Sequence, residues 1–270
     1  MHKVVFFALL VVLLACETPP AQQPEQPLAS ADAPTDAEAR LYFLLKAYDF
    51  DSAQQQATTD LYLQEHWVPA ATRLAAGPIG AFHRKTSDTD TVLQTYLLVP
   101  INSLEQLVPL DELDRTTGFS ESPYARAAHD APPYARQHST VLRAFSDFPG
   151  ITAPTFATDR SERVYELRSY ESATEALYRR KLKMFNAGGE VKLFDRLGFN
   201  AVFYGEVLAG NAMPNLMYMT TFPSRPVRDS LWKEFGDAPE WKALTAQEQY
   251  DNTVSRADIY FLEPTQYSAY

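Results

Sequence analysis

VYELRSY, residues 164–170, is a run of aromatic, branched and long side chains that is typical of a β-strand. Successive side chains of a strand point to opposite faces of its sheet. Tyr165 and Leu167 therefore share one face. Glu166, Arg168 and Tyr170 share the other. Neither set is suited to a face that meets only water, so the segment predicts a sheet that is covered on both sides.

The residues after this strand predict the element order β-α-β-β-α-β. Apolar side chains recur at helical spacing over about 172–197 and stop at Gly198, which predicts a helix. A second helical region begins near 226 and is interrupted at 237–241. Further strands are predicted at 201–208, 216–222 and 258–262. This order is the ferredoxin-like motif, a four-stranded antiparallel sheet with both helices on one side.

Residues 40–145 repeat the same order with weaker signals. Strands are predicted at 40–50, 79–85, 92–99 and 140–145, and helices at 52–74 and 103–113. We therefore predict an α+β chain of two tandem ferredoxin-like domains, a degenerate one at 39–150 and a second at 160–270. Each sheet has one face without helices, and the other domain is expected to cover it. This packing within one chain predicts a monomer.

The first 15 residues have the parts of a bacterial signal peptide. A basic start precedes an apolar run that is too short to span a bilayer, which needs ~20 helical residues. The end of this run, LLAC at 13–16, resembles a lipobox and predicts lipid attachment at Cys16. The alternative is ordinary secretory cleavage that leaves an idle thiol. Residues 16–38 are rich in proline and acids and predict a disordered tether, so we expect a protein of the bacterial cell envelope that its lipid anchors to a membrane.

The composition excludes several classes of protein. A formal net charge of −10 argues against nucleic-acid binding, which needs basic surface. The single cysteine excludes an intrachain disulfide and a cysteine-rich metal site. The sequence shows no glycine-rich phosphate loop, and its later histidines lack metal-ligand spacing. Those histidines are His66, His83, His129 and His138. No metal site is predicted.

Three segments together resemble the NIPSNAP family of dimeric α/β-barrel proteins. They are VYELRSY at 164–170, DAPEW at 237–241 and FLEPTQYS at 261–268. The first and last resemble the opening and closing strands of the family, and the middle one resembles the break in its second helix. The resemblance implies that the two sheets pack as an intrachain dimeric α/β barrel, and it implies no particular reaction.

The resemblance is distant over residues 39–150. There Phe43 and Leu45 stand where Glu166 and Arg168 would be, so the first half lacks that charged pair. Related barrel families hold haem through a helix histidine or oxidise aromatic compounds without a metal. His66, in the predicted long helix, is the haem candidate by that likeness, against the simpler interpretation of a solvated or core histidine. No cofactor is predicted.

The candidate site is in the second half. Glu166 and Arg168 lie two apart on a central strand, so we expect them to be buried between the sheets and to pair with each other or with the first half. Arg168 would receive a carboxylate or enolate oxygen, with Glu166 as a base or orienting group. The alternative is an ion pair that fixes the register of the sheets. Tyr170, Tyr204 and Tyr218 either line the same cavity or pack as ordinary sheet residues.

Three functions remain open. The first is a membrane-anchored envelope protein that binds a small, partly apolar molecule at Glu166, Arg168, Tyr170, Tyr204 and Tyr218. The second is a cofactor-independent or haem-assisted oxidoreductase or isomerase of the α/β-barrel type. The third is a structural or interaction module without a cavity. No catalytic residue is predicted.

Overall fold

Eight antiparallel strands form a closed barrel in the computed structural model, which describes residues 39–115 and 119–270 of the chain. The predicted signal peptide, Cys16 and the whole tether at 16–38 lie outside the described residues. Every described residue belongs to one unit, Ala37–Tyr270. Among the described residues, no helix has the length and apolar character needed to cross a membrane.

The strands follow the predicted order closely. They are β1 (Tyr42–Phe50), β2 (Gly80–Arg84), β3 (Leu93–Ile101), β4 (Arg136–Ala144), β5 (Val164–Glu171), β6 (Ala201–Ala209), β7 (Asn215–Phe222) and β8 (Arg256–Pro264). The first four lie in the order β4-β1-β3-β2, and the last four lie in the order β8-β5-β7-β6. Antiparallel pairing of β2 with β8 and of β4 with β6 closes the barrel. The prediction of a mixed α/β fold built around a barrel is therefore confirmed.

The predicted helices 52–74, 103–113 and 172–197 are shorter or divided in the structure. The helices of the structure are α1 (Ala53–Tyr62), α2 (Val68–Ala71), α3 (Leu107–Asp111), α4 (Glu175–Phe185), α5 (Glu190–Leu197), α6 (Arg225–Asp237) and α7 (Pro239–Thr245). A π-helical turn, Leu63–Trp67, joins α1 to α2, so the predicted helix 52–74 is interrupted by a change of hydrogen-bond pattern.

The predicted helix 172–197 is broken at a glycine pair. A Cβ atom on Gly188 would lie 2.5 Å from the carbonyl oxygen of Met184, and Gly189 has a positive φ of 89°. Both positions favour glycine for these reasons, and they separate α4 from α5. The break at 237–241 occurs as the sequence indicates, because α6 ends at Asp237 and α7 begins at Pro239.

Side chains from both halves fill the inside of the barrel. Phe43 and Phe203 meet across it with ring centroids 5.1 Å apart, and Phe82 meets Tyr165 at 5.2 Å. These contacts belong to one apolar cluster to which every strand contributes. The alternation along β5 therefore places Tyr165 and Leu167 inside the barrel, and it turns their neighbours outward, toward the helices.

Candidate functional site

Glu166 and Arg168 lie on the outer, helix-facing side of β5. The expectation that they are buried between the sheets is wrong, because Tyr165 and Leu167 take the inner positions. Of the two expected pairings, the structure has the one in which Glu166 and Arg168 pair with each other. Their further partners come from α6 of the same half and not from the first half. Arg228 donates to Glu166, and the Trp232 ring lies against Arg168.

The Glu166 carboxylate is saturated with donors. Arg168 Nε donates to Oε1 at 2.5 Å, and Arg228 donates through Nε to Oε2 at 2.6 Å and through Nη2 to Oε1 at 3.0 Å. Trp232 Nε1 donates to Oε2 at 3.3 Å. A carboxylate offers about four lone-pair sites, and all are occupied. The geometry therefore supports an orienting role for Glu166 and leaves no lone pair for a substrate proton.

The Arg168 guanidinium is held from three sides. Its Nη1 donates to the hydroxyl of Tyr170 at 2.7 Å, and that hydroxyl lies 3.0 Å from the hydroxyl of Tyr218. Its Cζ lies 3.7 Å from the Trp232 ring centroid. Burial works to lower the pKa of Arg168, but Tyr218, Tyr170 and Glu166 raise it overall. Arg168 is therefore charged and fixed in place.

Tyr204 adjoins this network without joining it. Its ring stacks on that of Tyr218 at 5.5 Å, it is 1% exposed, and its hydroxyl has no hydrogen-bond partner. Burial raises the pKa of Tyr204 well above its usual value. The structure thus brings Glu166, Arg168, Tyr170 and Tyr218 into one hydrogen-bonded cluster and places Tyr204 beside it. Their role in ligand binding stays a prediction.

A second buried ion pair lies nearby that sequence reasoning missed. Lys181 of α4 and Glu190 of α5 are 2.9 Å apart, and both side chains are buried. Burial raises the pKa of Glu190, and Lys181 opposes this shift. The Lys181 ammonium also lies 6.0 Å from the centroid of the Tyr170 ring. Nothing in the sequence pairs these two residues, because only the break at Gly188 turns α5 back toward α4.

The first half carries a cation at the place that corresponds to Arg168. Phe43 and Leu45 point into the barrel, so the proposed match of these two residues to the charged pair is wrong by one position. A shift of one residue along a strand moves a side chain to the other face. Lys46 is the outward residue, and its ammonium lies 5.0 Å from the Trp67 ring. Burial lowers the pKa of Lys46, although Asp114 and Asp111 oppose this shift.

A cavity of about 530 Å³ adjoins the charged cluster on the outside of the barrel. Its floor is apolar and includes Phe261, which pairs with Glu166 across the β5–β8 ladder. The Phe261 ring centroid lies 5.4 Å from Arg228 Cζ and 4.4 Å from Arg225 Cζ. The cluster therefore forms part of the support for this cavity, which we call the β8 cavity.

The rim of the β8 cavity is cationic. Lys85, Arg163 and Arg225 line it, and the acid in its lining, Asp90, is bound by Arg84 at 2.6 Å. Arg163 donates through Nε and Nη2 to backbone carbonyls, so its position is fixed while its charge stays unpaired.

The remaining site candidates are a metal ion and a haem ligated by His66. Within residues 39–115 and 119–270, no three histidine, cysteine or carboxylate side chains are grouped to hold a metal. His66 lies in the π-helical turn and lines a separate cavity of about 390 Å³. Its role as a haem ligand stays a prediction that these observations do not test.

Comparisons with known proteins relate the second half of the chain to one family. The NIPSNAP family profile matches residues 165–269. A NIPSNAP family protein of Agrobacterium tumefaciens strain C58 is 18% identical, with a TM-score of 0.35, over 40% of this chain and 97% of its own. The search of curated proteins found no match.

Two further solved structures cover most of the chain. A candidate monooxygenase of Fusobacterium nucleatum subsp. nucleatum is 8% identical, with a TM-score of 0.55, over 84% of this chain and 93% of its own. An anthrone oxidase-like protein is 10% identical, with a TM-score of 0.50, over 86% and 94%. At such identities the likeness shows the fold alone. The described chain is therefore an eight-stranded α/β barrel whose second half, residues 165–269, is similar to the NIPSNAP family.

Proposed function

We propose that the protein binds a small, partly apolar anion in the β8 cavity. The observation that carries this proposal is the combination of an apolar floor with the cations Lys85 and Arg163, which have no carboxylate partner among the described residues. Both cations border one concave site.

The apolar part of the ligand would lie on the floor. Val164 and Phe261 form this floor together with Ile259, an exposed aliphatic side chain. Covering exposed apolar surface stabilises a complex by ~25 cal/mol for each Å² removed from water. A ligand with a short hydrocarbon or aromatic body gains this contribution, whereas a small inorganic anion does not.

The anionic group would lie at the rim, near Arg163. Arg163 has no carboxylate partner among the described residues, while its Nε and Nη2 are held by the Phe156 and Thr158 carbonyls. A guanidinium fixed in this way can donate to a carboxylate without losing further side-chain freedom. Glu166 contributes indirectly, because it holds Arg228 against Phe261.

Isothermal titration with octanoate, octylammonium and octanol tests the proposal. Octanoate should bind more tightly than the other two probes. Lys85→Gln and Arg163→Gln should each weaken octanoate binding roughly tenfold, because each variant loses one charged hydrogen bond. Arg196→Gln, in an exposed ion pair on α5, is the matched control and should leave affinity unchanged. Equal affinities for the three probes, or full affinity in both variants, would contradict the proposal.

Oxidation of an aromatic substrate is the second candidate function. The names of the structural neighbours favour it, one being a candidate monooxygenase and another anthrone oxidase-like. Oxygen uptake with anthrone as the probe tests this candidate, with Arg168→Gln as the variant. Uptake no faster than in buffer would remove it.

We also propose that the barrel arose from two tandem ferredoxin-like domains that close on each other and make the chain monomeric. The support is that each half has the same spatial strand order, 4-1-3-2 within its own four strands. Separately expressed halves would leave the edges of β2, β4, β6 and β8 unpaired, so they should aggregate alone and associate one-to-one when mixed. Independent monomeric halves would contradict this.

The N-terminal segment is proposed to anchor the protein. The support is the lipobox-like LLAC at 13–16 and the proline-rich stretch that follows. Wild-type protein expressed in a bacterium should partition into detergent and incorporate labelled fatty acid, whereas Cys16→Ser should do neither. Equal partitioning of both would overturn lipidation at Cys16.

A further inference from the structure

The charge that the β8 cavity presents to a ligand depends on which of its lining residues are already paired. The acid in the lining, Asp90, lies 2.6 Å from the guanidinium of Arg84. Arg225 of the lining lies 3.1 Å from the carboxylate of Asp229, one turn further along α6. Each of these two pairs is neutral as a unit, so neither adds to the net charge that a ligand meets.

Lys85 and Arg163 carry the charge that is left. Neither has a carboxylate partner among the described residues, so the lining keeps two unpaired positive charges in a protein whose formal net charge is −10. Glu162, the neighbour of Arg163 in the sequence, is exposed and outside the lining. Glu263, which follows the cavity residues of β8, lines a different cavity. A monocarboxylate would therefore neutralise only half of the unpaired charge.

The two unpaired cations enter the cavity from opposite sides of β8. Arg84 on β2 and Tyr165 on β5 both lie opposite Leu262 of β8. Lys85 follows Arg84, and Arg163 precedes Tyr165 by two residues, so both begin near one level of the sheet. The strands β2 and β5 are separated by two spacings of ~4.8 Å each. Both long side chains can therefore reach a single headgroup that lies above β8.

The polar groups of the rim are suited to a headgroup with several acceptor oxygens. Arg163 is held by backbone carbonyls and presents a fixed guanidinium. Lys85 is exposed, and an ammonium on its flexible stem can move toward that fixed charge. The hydroxyl residues Thr86 and Ser87 line the same rim. A phosphoryl group offers three strong acceptor oxygens, whereas a carboxylate offers two.

We propose that the anion is a phosphate monoester of a small apolar alcohol, a choice that rests on the proposed function of the β8 cavity. Its phosphoryl group would accept hydrogen bonds from Arg163 and Lys85, and its hydrocarbon would lie over Ile259 and Phe261. Such an ester is a dianion above its second pKa of about 6, so its charge equals that of the two unpaired cations.

Isothermal titration of the purified protein at about pH 8 with octyl phosphate and octyl sulfate tests the proposal. The two esters share a chain and a tetrahedral headgroup, but the first is a dianion and the second a monoanion. Octyl phosphate should bind at least roughly tenfold more tightly, because its second charge strengthens the hydrogen bonds from both cations. This advantage should shrink as the pH falls through about 6, where octyl phosphate becomes a monoanion.

Two variants show whether the unpaired cations cause the preference. Lys85→Gln and Arg163→Gln should each remove most of the advantage of octyl phosphate over octyl sulfate, since each leaves one unpaired cation in the lining. Lys192→Gln, at an exposed lysine of α5 outside the cavity, is the control and should leave the advantage unchanged. An advantage that persists in both cavity variants would overturn the proposal.

The outcomes with further probes separate this proposal from the proposed function. If octanoate and octyl sulfate bind but octyl phosphate binds no more tightly, the anion site is supported and the choice of a dianion is overturned. If none of these three probes binds, the proposed function fails and this proposal fails with it. Suberate carries its two charges at opposite ends of an eight-carbon chain, so it should bind less tightly than octyl phosphate. Tighter binding of suberate would overturn the placing of both cations on one headgroup.

Discussion

Replacement of Glu166 by glutamine should destabilise the protein strongly, although the two side chains have the same shape. The carboxylate is the shared partner of two guanidiniums, and its side chain is fully buried. Arg168 and Arg228 are themselves only 10% and 15% exposed. A neutral amide would present an NH₂ group to these donors and would neutralise neither charge.

The magnitude follows from this burial. Removing one partner of a buried ion pair destabilises a protein by about 3–5 kcal/mol, because the charge left behind is neither paired nor fully hydrated. For a domain of this size each kcal/mol lowers the melting temperature by roughly 2–4 °C, so a decrease of roughly 6–20 °C is expected. The partial exposure of both arginines favours the lower half of this range.

Urea unfolding followed by tryptophan fluorescence measures the effect, because Trp232 lies in the cluster. Glu240→Gln is the matched control. This variant breaks the Arg196–Glu240 pair, in which the N–O distance is 2.8 Å and each side chain is about half exposed. Such a pair contributes about 0–1 kcal/mol. Glu166→Leu combined with Arg168→Met should recover part of the loss, since apolar replacement of a buried pair is often tolerated and Arg228 keeps Asp229 as a partner.

The reasoning would be refuted by a Glu166→Gln protein that loses no more stability than Glu240→Gln. That result would mean that the cluster is hydrated in solution, and that its arginines can exchange the carboxylate for water.

The remaining predictions concern the other buried groups. The pKa of Glu190 is raised in the folded protein, so its stabilising contribution is complete below about pH 4.5 and is lost as the pH rises through the folded-state pKa. In a urea series, wild type should therefore lose stability relative to Glu190→Gln above about pH 4.5. Parallel stability curves for the two proteins would contradict this. Gly188→Ala should lower the free energy of unfolding by roughly 1–3 kcal/mol, because the new methyl group meets backbone atoms. The methyl group of Gly236→Ala meets nothing, so this control should raise the free energy of unfolding by ~0.5–1 kcal/mol. Equal melting temperatures for the two variants would refute the contact. Leu142→Ala should lose about 2–5 kcal/mol by opening a hole in the barrel core, and a smaller loss in calorimetry would mean that the interior can collapse.

Much of the barrel could be predicted from the sequence. The alternation in VYELRSY identifies β5 and its two faces, and proline, glycine and polar turns separate the other strands at nearly their true bounds. These signals are local, since each depends on residues within one or two turns of chain. The break of the helix at Gly188 and the π-helical turn at Leu63–Trp67 were not predicted. At Gly188 the neighbours are the Met184 carbonyl oxygen, four residues earlier, and Leu244 of α7, which comes close only when the helices pack together.

The members of the charged cluster were predicted from the sequence, but the face of the sheet on which they lie was predicted wrongly. Sequence alternation alone shows that Glu166, Arg168 and Tyr170 share a face, but it does not show which face turns toward the helices. The aromatic and aliphatic side chains of eight strands decide that, because only Tyr165, Leu167 and their counterparts fill the barrel interior. The same reason explains why Phe43 and Leu45 were wrongly matched to the positions of Glu166 and Arg168.

The sequence by itself therefore determined the element order, the acidic character of the chain and the residue types of the charged cluster. Tertiary structure decided the partners. Arg228 reaches Glu166 from 62 positions along the chain, and Phe261 reaches it from further still, because β5 and β8 are neighbours in the sheet. The β8 cavity exists only where distant segments meet, and the charge that it presents is a sum over residues that no local pattern brings together.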